Sequence, residues 1–303
     1  MSPWLARLID GNSAYTPPSQ WGAVRAKHGF DVSKGRTWSW NPKDDHDVNE
    51  ISHALASPDA PYIMRTPSDI AGWPVQQIIP IPMSLNAVES VEYLMAWNEF
   101  RRKMNMSNHG MDKNSPLVAA LRFRQKSSIL KAGHIAEFAM DNVRSGRQVF
   151  IGCEFNDTMD VMESAFTKAG MPWVEYSGRN VANRERARES FQHGDAMIVL
   201  CTSVDGVSFH AGEIMEDGTM ATGAERITIL ADVRNRVLST KQQMGRCHRD
   251  GMNSICYMPY AEDTKDESVI NVFARKMMNM NTMMNNDSDK DYINALMMNL
   301  SND

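Results

Sequence analysis

Between about Leu117 and Tyr260 the chain alternates short apolar runs with amphipathic segments, and this alternation restricts the fold more than any other feature. Four of the runs are typical of buried strands. They are residues 148–153, 196–201, 226–230 and 255–258, and residues 173–176 are a shorter candidate. Because helical segments of roughly a dozen residues separate the runs, the pattern predicts an α/β fold with a parallel sheet flanked by helices.

Two of the intervening segments carry clear helix signals. Residues 157–169 place apolar side chains on one face and are followed by Gly170 and Pro172, which stop helices. Residues 181–193 are closed by Gly194. Strands joined in this way require right-handed crossovers, so ligands are expected beyond the carboxyl ends of the strands.

The chain on either side of this unit is irregular. Residues 75–82 are predicted to form an extended edge strand, because their prolines cannot donate to a central ladder. Residues 87–104 have the pattern of an amphipathic helix, and residues 105–115 that of a flexible joint. Residues 276–303 are rich in Met and Asn, and we interpret them either as a segment that fills part of the core or as a C-terminal tail.

Composition excludes several classes of protein. A net charge of -5 over 303 residues rules out a generally basic coat, so any nucleic-acid contact must come from a local patch. No apolar run approaches the roughly 20 residues of a membrane span, and the N-terminus lacks a signal-peptide pattern. The four cysteines have no CxxC spacing, which favours reduced core thiols over a metal site or disulfides. We therefore expect a cytoplasmic protein that contacts no membrane and binds no metal through its cysteines.

Residues 242–251 read Gln-Gln-Met-Gly-Arg-Cys-His-Arg-Asp-Gly and are the most informative short stretch. Arg246 and Arg249 are three residues apart, so we expect both on one face of a helix that Gln242 and Gly245 open. Guanidinium groups at this spacing can reach a single polyphosphate. An ordinary solvated basic helix is the alternative.

The order of the elements resembles the second RecA-like domain of superfamily-two helicases and translocases. Within them it is most similar to the Swi/Snf-type branch and to strawberry-notch-type proteins often found in phage genomes. Four stretches carry the resemblance: residues 148–155, residues 178–194 with Arg184 and Phe191, residues 201–208, which resemble the fifth motif of the family, and the group of Gln242, Gly245, Arg246 and Arg249 that matches the sixth motif. Residues 263–267 also resemble the strawberry-notch arrangement.

The resemblance implies a domain organisation. Residues 117–275 correspond to the RecA-like domain, and residues 61–116 to the inter-domain connecting segment. Residues 1–60 are then an irregular N-terminal extension, which faintly resembles the tail of a first RecA-like domain, and residues 276–303 are the C-terminal tail.

The resemblance also implies roles in ATP hydrolysis. Arg246 and Arg249 are the expected arginine fingers, since phosphoryl transfer spreads negative charge that a guanidinium from across a cleft stabilises. Gly245, from the same motif, is expected to take part in binding the nucleotide. Gln242 is expected to couple the nucleotide state to the inter-domain contact. A salt bridge to a neighbouring acidic side chain is the alternative for Arg246. His248 is interpreted as a surface or packing residue.

Nucleic-acid contacts are expected at the carboxyl edge of the sheet. Thr202 and Ser203 follow a strand, and their hydroxyls together with the Gly206 amide suit binding of backbone phosphates. Asp205 is expected either to face the nucleotide or to pair with a finger arginine. The alternative is a simple strand-to-helix turn.

A cluster of arginines gives the most basic predicted surface. Arg179 and Arg184 are candidate phosphate contacts, together with the neighbouring Arg186 and Arg188. A solvated helix face is the competing interpretation. No role is assigned to His210 or to the acidic loop of residues 213–225, which is expected to be a surface insertion.

The sequence contains no GxxxxGK[ST] loop and no acidic run of the kind that holds Mg²⁺. ATP and Mg²⁺ would therefore be shared with a partner chain that carries the first RecA-like domain. We expect the chain to hydrolyse nothing alone and to act on DNA or RNA only with this partner. The alternative is a non-catalytic, helicase-like nucleic-acid-binding or docking subunit.

Overall fold

The computed structural model describes residues 30–31, 39–40, 71–74, 76–108, 115–202, 206–233, 237–249 and 251–283. Their strands are β1 (Phe30–Asp31), β2 (Ser39–Trp40), β3 (Ile78–Met83), β4 (Gln148–Gly152), β5 (Trp173–Tyr176), β6 (Ile198–Cys201), β7 (Arg226–Leu230) and β8 (Ile255–Ala261). Their α-helices are α1 (Ala87–Asn108), α2 (Ser115–Arg144), α3 (Asn156–Lys168), α4 (Arg184–His193), α5 (Val237–Met244) and α6 (Lys265–Met283). A 3₁₀ helix, Gly178–Asn183, precedes α4.

Contacts divide the chain into two compact units, and the unit Pro74–Phe273 contains the main sheet. In the other unit β1 pairs with β2 in antiparallel register, Phe30 opposite Trp40. The main sheet has six strands in the order β3-β8-β7-β4-β6-β5. Every neighbouring pair in it is parallel. The predicted parallel α/β fold is therefore confirmed.

The two faces of the sheet have separate cores. On one face, Ile151 of β4 and Ile229 of β7 pack with Met159 and Phe166 of α3 and with Ile135 of α2. On the other face, the core is built mainly from aromatic side chains and thiols. Its members are Phe150, Tyr176, Phe191, Val199, Cys201, Phe209 and Cys247. Alternate residues of β4 enter opposite cores, which is the period-two pattern of a strand buried on both faces.

The edge strand β3 pairs only with β8, from Ile78 opposite Cys256 to Met83 opposite Ala261. Its position agrees with the prediction from its prolines. After β3, α1 packs against α2, and Phe123 of α2 contacts the rings of Tyr93, Trp97 and Phe100. The compact unit thus begins at Pro74, whereas the expected RecA-like domain begins at residue 117. Part of the expected connecting segment is an integral edge of the sheet.

Two predicted helices differ from those observed. Residues 181–193 do not form one helix, because the backbone of Asn183 is not helical and separates the 3₁₀ helix from α4. The arginine-bearing helix is shorter than expected, since α5 ends at Met244. The predicted terminators are confirmed: Gly170 follows α3 and Gly194 caps α4, both with positive φ.

The most deeply buried cation is Arg226, whose side chain is 1% exposed at the start of β7. Its Nη1 donates to the Phe209 carbonyl at 2.7 Å and to the side-chain Oε1 of Gln192. Its Nε donates to the Gln148 side-chain oxygen at 3.1 Å. The guanidinium also lies 5.1 Å from the Phe191 ring centroid. Burial lowers the pKa of Arg226, but an arginine stays charged at neutral pH.

The side chain of Gln192 connects the positive charge of Arg226 to the carboxylate of Glu213. Gln192 accepts from Arg226 with its side-chain oxygen and donates to Glu213 with its amide nitrogen. Gln148, which accepts from Arg226, also accepts from the Thr222 hydroxyl at 2.9 Å. The acidic loop that had no predicted role is therefore tied through Glu213 and Thr222 to the amino ends of β4 and β7.

Replacing Arg226 with methionine should lower the free energy of unfolding by about 3 kcal/mol, because the acceptors of Gln148, Gln192 and Phe209 would lose a buried charged donor. Urea unfolding of the two proteins measures the difference. Arg186→Met on the exposed side of α4 is the matched control and should change stability by less than about 0.5 kcal/mol. Equal effects of the two substitutions would contradict the structural role of Arg226.

Candidate nucleotide-facing cleft

A polar cleft of about 520 Å³ lies beside the carboxyl ends of β5 and β6. This is the edge at which parallel α/β sheets bind ligands. Tyr176 ends β5, and Gly206, Val207 and Ser208 belong to the segment after β6. The remaining lining residues come from α4, the acidic loop and the sixth-motif segment. They are Glu185, Arg188, Glu213, Glu216 and Arg249.

Arg246 and Arg249 do not lie on one face of a helix, so that expectation is wrong. The peptide nitrogen of Gly245 donates to the Lys241 carbonyl, and that of Arg246 donates to the Gln243 carbonyl. These two bonds form one tight turn beyond the end of α5. We call residues 245–249 the arginine turn. Within this turn the two arginines differ in solvent exposure. Arg246 is 4% exposed, whereas Arg249 is exposed and lines the cleft.

Arg246 joins two segments that are distant in sequence. Its Nη1 donates to the Val207 carbonyl at 2.5 Å, and its own carbonyl accepts from the Phe209 peptide nitrogen at 2.9 Å. The segment resembling the fifth motif is thereby fixed against the arginine turn. Gln242 is exposed at the end of α5, and Gly245 is half-buried beside the Lys241 carbonyl. The structure thus brings Gly206, Arg246 and Arg249 together.

His248 attaches the arginine turn to the residues that lead into β3. Its Nε2 lies 3.0 Å from the Pro74 carbonyl, while its Nδ1 accepts from the Ser254 peptide nitrogen at 3.3 Å. The second contact requires an unprotonated Nδ1, so the neutral ring with hydrogen on Nε2 fits both. Burial lowers the pKa of His248. Gln76 adds a parallel link by donating to the Met244 carbonyl at 2.8 Å.

Gln243 is buried without a hydrogen-bond partner among the described residues. Its side chain is fully inaccessible, and both its amide nitrogen and oxygen lack a partner there. The amide packs on Gly152 at the end of β4, where an added Cβ would meet the Gln243 amide at 3.1 Å. An unpaired buried amide costs free energy. The close approach explains why glycine ends this central strand.

The predicted nucleic-acid residues are only partly within the described structure. Thr202 follows β6 and is half-buried, and Gly206 is exposed at the cleft. Ser203 and Asp205 lie outside the described residues. Their assignment as phosphate or nucleotide contacts therefore stays a prediction.

The arginine cluster is less basic than its sequence indicates, because acidic side chains compensate it. Arg179 forms ion pairs with Glu175 at 2.8 Å, Asp160 at 2.5 Å and Glu163 at 3.3 Å. Hydrogen bonds with Glu175 and Asp160 raise the pKa of Arg179. Arg184 donates to the Ser177 carbonyl at 2.7 Å and lies over the Tyr176 ring. The phosphate-contact role of Arg179 and Arg184 stays a prediction.

Arg188 lines the cleft, and carboxylates compensate its positive charge as well. It pairs with Glu185 at 2.7 Å and with Glu213 at 3.0 Å. Burial alone would lower the pKa of Arg188, but its hydrogen bond to Glu185 and the charge of Glu213 raise it. Beside it, the Ser208 hydroxyl lies 2.6 Å from His210 Nδ1, so His210 is held within the wall. The cleft is therefore a mixed-charge surface.

The remaining predictions concern cysteines and membranes. All four cysteines are buried, as expected for core residues. Burial raises the pKa of Cys247 to about 12, so its thiol is unreactive despite its place in the arginine turn. Among the residues with described structure, no helix has the length and apolar character to cross a membrane.

No protein-family model and no curated protein matches this sequence. Solved structures do. The Sulfolobus solfataricus SWI2/SNF2 ATPase core in complex with dsDNA aligns at a TM-score of 0.51 and 15% identity, over 71% of this chain and 47% of that chain. The chain thus spans about half of that core. The C-terminal part of the Fun30 ATPase domain aligns at a TM-score of 0.49 and 11% identity, over 70% of this chain and 97% of that chain.

The fold is RecA-like. A six-stranded parallel sheet with helices on both faces carries this conclusion, and the alignment with the archaeal ATPase core agrees with it. At these identities the likeness concerns the fold alone.

Several residues of the cleft are not predicted from the sequence as functional or supporting groups. Glu213 and Glu216 lie in the loop without an assigned role, and no sequence signal distinguishes Gln243 from its neighbour Gln242. One signal is present for Arg226: a charged residue that opens a fully apolar strand is expected to need buried partners. The identity of those partners depends on tertiary contacts.

Replacing Gln243 with leucine should raise the free energy of unfolding by about 1 kcal/mol, because it removes a buried amide that has no partner among the described residues. Chemical denaturation measures the change. Gln242→Leu at the neighbouring exposed position is the control and should shift stability by less than about 0.5 kcal/mol. A loss of stability in Gln243→Leu would indicate that the amide does find a partner in solution.

Acidification should weaken the fold through His248. The folded-state pKa of His248 is lowered by burial, so the neutral ring stabilises the protein fully above the unfolded pKa of about 6.5. This contribution is lost as pH falls from there through the folded pKa. Unfolding measured at about pH 7.5 and about pH 5.5 should show a larger drop for wild type than for His248→Gln. Identical drops would remove His248 from the pH response.

Proposed function

We propose that this chain is the C-terminal half of a superfamily-two DNA helicase or translocase, which presents Arg249 to a triphosphate held by another RecA-like domain. One observation carries the proposal: the fifth-motif-like segment and the arginine turn meet in one cleft at the carboxyl edge of a RecA-like sheet. Arg249 is exposed in that cleft. A guanidinium presented from across a domain boundary can stabilise charge in phosphoryl transfer.

The residues of the cleft fit a contribution to an ATP site and not a complete one. Among the described residues that line it there is no lysine, and the carboxylates of Glu185, Glu213 and Glu216 oppose a triphosphate lying inside it. Arg249 is the group that fits the nucleotide. Bound ATP with Mg²⁺ would supply the phosphoryl group, and the phosphate loop belongs to the partner chain with the first RecA-like domain. This division agrees with the absence of GxxxxGK[ST] from the sequence.

The two arginines are assigned different parts in this proposal. Arg249 is the finger that reaches the triphosphate. Arg246 is bonded to the Val207 carbonyl, so as a finger it would have to release that contact. Arg246 instead holds the fifth-motif-like segment, including Gly206, against the arginine turn. Gln242, exposed one turn before, lies where it can contact the partner domain as the nucleotide changes.

The nucleic-acid track is assigned to the loop that follows β6. Thr202, directly after the end of β6, supplies a hydroxyl, and contacts of this kind bind the backbone without reading bases. Ser203, the next residue in the sequence, is assigned the same role. Arg179 and Arg184 border the same side, although Arg179 would have to exchange carboxylates for phosphates. The archaeal ATPase core was solved in complex with dsDNA, which supports DNA over RNA in this proposal.

A non-catalytic docking or nucleic-acid-binding subunit is the second candidate. The observation in its favour is the acidic lining of the cleft, where Glu185 and Glu213 already neutralise Arg188. Under this alternative Arg249 has no triphosphate to reach. Substitution at this position separates the two candidates.

Mixing this chain with a chain that carries the first RecA-like domain and its GxxxxGK[ST] loop should produce DNA-stimulated ATP hydrolysis that neither chain shows alone. Arg249→Ala should reduce the kcat of the pair by about 1000-fold, the usual contribution of an arginine finger. Arg249→Lys should not restore the rate, because a point charge does not reproduce the planar fork.

Arg144→Ala, which removes an exposed arginine from the end of α2, is the control and should leave the kcat within about twofold. An unchanged rate in Arg249→Ala would exclude the finger role. Failure of the two chains to hydrolyse ATP together would favour the docking subunit.

A further inference from the structure

Residues 212–222, here named the acidic hairpin, form a small rigid hairpin at the rim of the cleft. Its two arms are joined by peptide hydrogen bonds from Gly212 to Thr222 at 3.2 Å, from Ala221 to Glu213 at 2.8 Å and from Met215 to Thr219 at 2.8 Å. Asp217 closes the tip by accepting from the Thr219 peptide nitrogen at 2.9 Å. The arms and the tip are thus fixed by their own contacts.

The base of the acidic hairpin is anchored in the protein interior. Glu213 contacts Arg188 and Gln192, and Thr222 bonds to Gln148. The Thr222 peptide nitrogen also donates to the Gln192 carbonyl at 2.8 Å. These partners belong to the network of Arg226. The hairpin is therefore held in one orientation and loses little entropy when it binds.

This rigid hairpin presents two large apolar side chains to solvent. Ile214 is 73% exposed and Met220 is 69% exposed. The two residues pair across an antiparallel bridge, so their side chains project side by side from one face. Glu213 precedes Ile214 and points to the opposite face, toward α4. The apolar pair is thus directed outward, away from the network that anchors the base.

Charge decides which class of molecule fits this pair. The segment from Ala211 to Glu225 contains Glu213, Glu216, Asp217 and Glu225 and no lysine or arginine. Glu216 and Asp217 are both exposed at the tip. Carboxylates around the apolar pair repel phosphates, which disfavours a wedge between bases. They complement an apolar pocket rimmed by lysine and arginine on a protein.

The position of the acidic hairpin beside the cleft indicates which protein would offer such a pocket. Glu213 and Glu216 line the same cleft as Arg249, so the acidic hairpin is a wall of that cleft. Ile214 and Met220 lie on the outer face of this wall, where a triphosphate-bearing domain that covers the cleft and extends over its rim would meet them. We infer that the acidic hairpin, through Ile214 and Met220, is a docking contact for the chain that carries the first RecA-like domain, which offers a basic-rimmed apolar pocket. The inference rests on the proposed function and names a contact by which the two halves associate.

The double variant Ile214→Asp/Met220→Asp tests the contact. Titration of the GxxxxGK[ST]-bearing chain, followed by calorimetry and by ATP hydrolysis with DNA, should show its affinity weakened by about 30-fold or more. The kcat at saturating partner should stay within about twofold, because the hairpin does not touch the phosphates. Glu216→Lys should slow association, and the effect should fade at high salt.

The control is Val181→Asp, which places a charge at an apolar position of similar exposure, 63%, in the 3₁₀ helix. It should bind the partner as wild type does. Equal thermal unfolding temperatures of all variants verify that the hairpin substitutions leave the fold intact.

The outcomes separate this inference from the proposed function. Unchanged partner affinity in the double variant, with hydrolysis still lost in Arg249→Ala, overturns the docking contact and leaves the finger role standing. Weaker binding of a labelled DNA duplex with unchanged partner affinity makes the hairpin a nucleic-acid contact and also overturns it. If wild type does not bind the partner chain, the docking contact and the proposed function fail together.

Discussion

The buried guanidinium of Arg226 is the interaction on which much of this structure depends. It stands at the amino end of β7, yet its donors reach the carbonyl of Phe209 and the side chains of Gln148 and Gln192. Through Gln192 its charge is coupled to Glu213. A buried charge is tolerated only when its hydrogen bonds are satisfied. Satisfying them orders the segment after β6, the end of α4 and the acidic hairpin together.

A second buried guanidinium shapes the cleft. Arg246, which the spacing groups with Arg249, is turned inward and fixes the Val207 carbonyl, while Arg249 remains exposed. Of the two guanidinium groups of the arginine turn, that of Arg246 therefore has a structural role and that of Arg249 is presented to the cleft. His248 and Gln76 tie the same turn to the residues that enter β3. A displacement of the edge strand would therefore be transmitted to the arginine turn.

Sequence patterns predicted the strands well because both faces of the sheet are covered. Each strand of the interior reads as an apolar run, and the observed β7, Arg226–Leu230, has the predicted limits. Helix ends were predicted where Gly170 and Gly194 adopt positive φ. Prediction failed at the end of α5: the helix stops at Met244, and Arg246 bonds to the Val207 carbonyl of a segment distant in sequence, which no local signal reveals.

By itself the sequence determined the alternation of parallel strands with helices and the edge position of β3, because periodicity and proline chemistry act locally. The RecA-like order of these elements followed from the resemblance of its motifs to a known family. Only the tertiary structure decided which charges are presented. Arg179 and Arg188 are neutralised by carboxylates from other elements, and Arg246 is buried while Arg249 is not. The physical reason is that burial and ion pairing depend on neighbours brought together by the fold, and residue spacing along one helix carries no record of them.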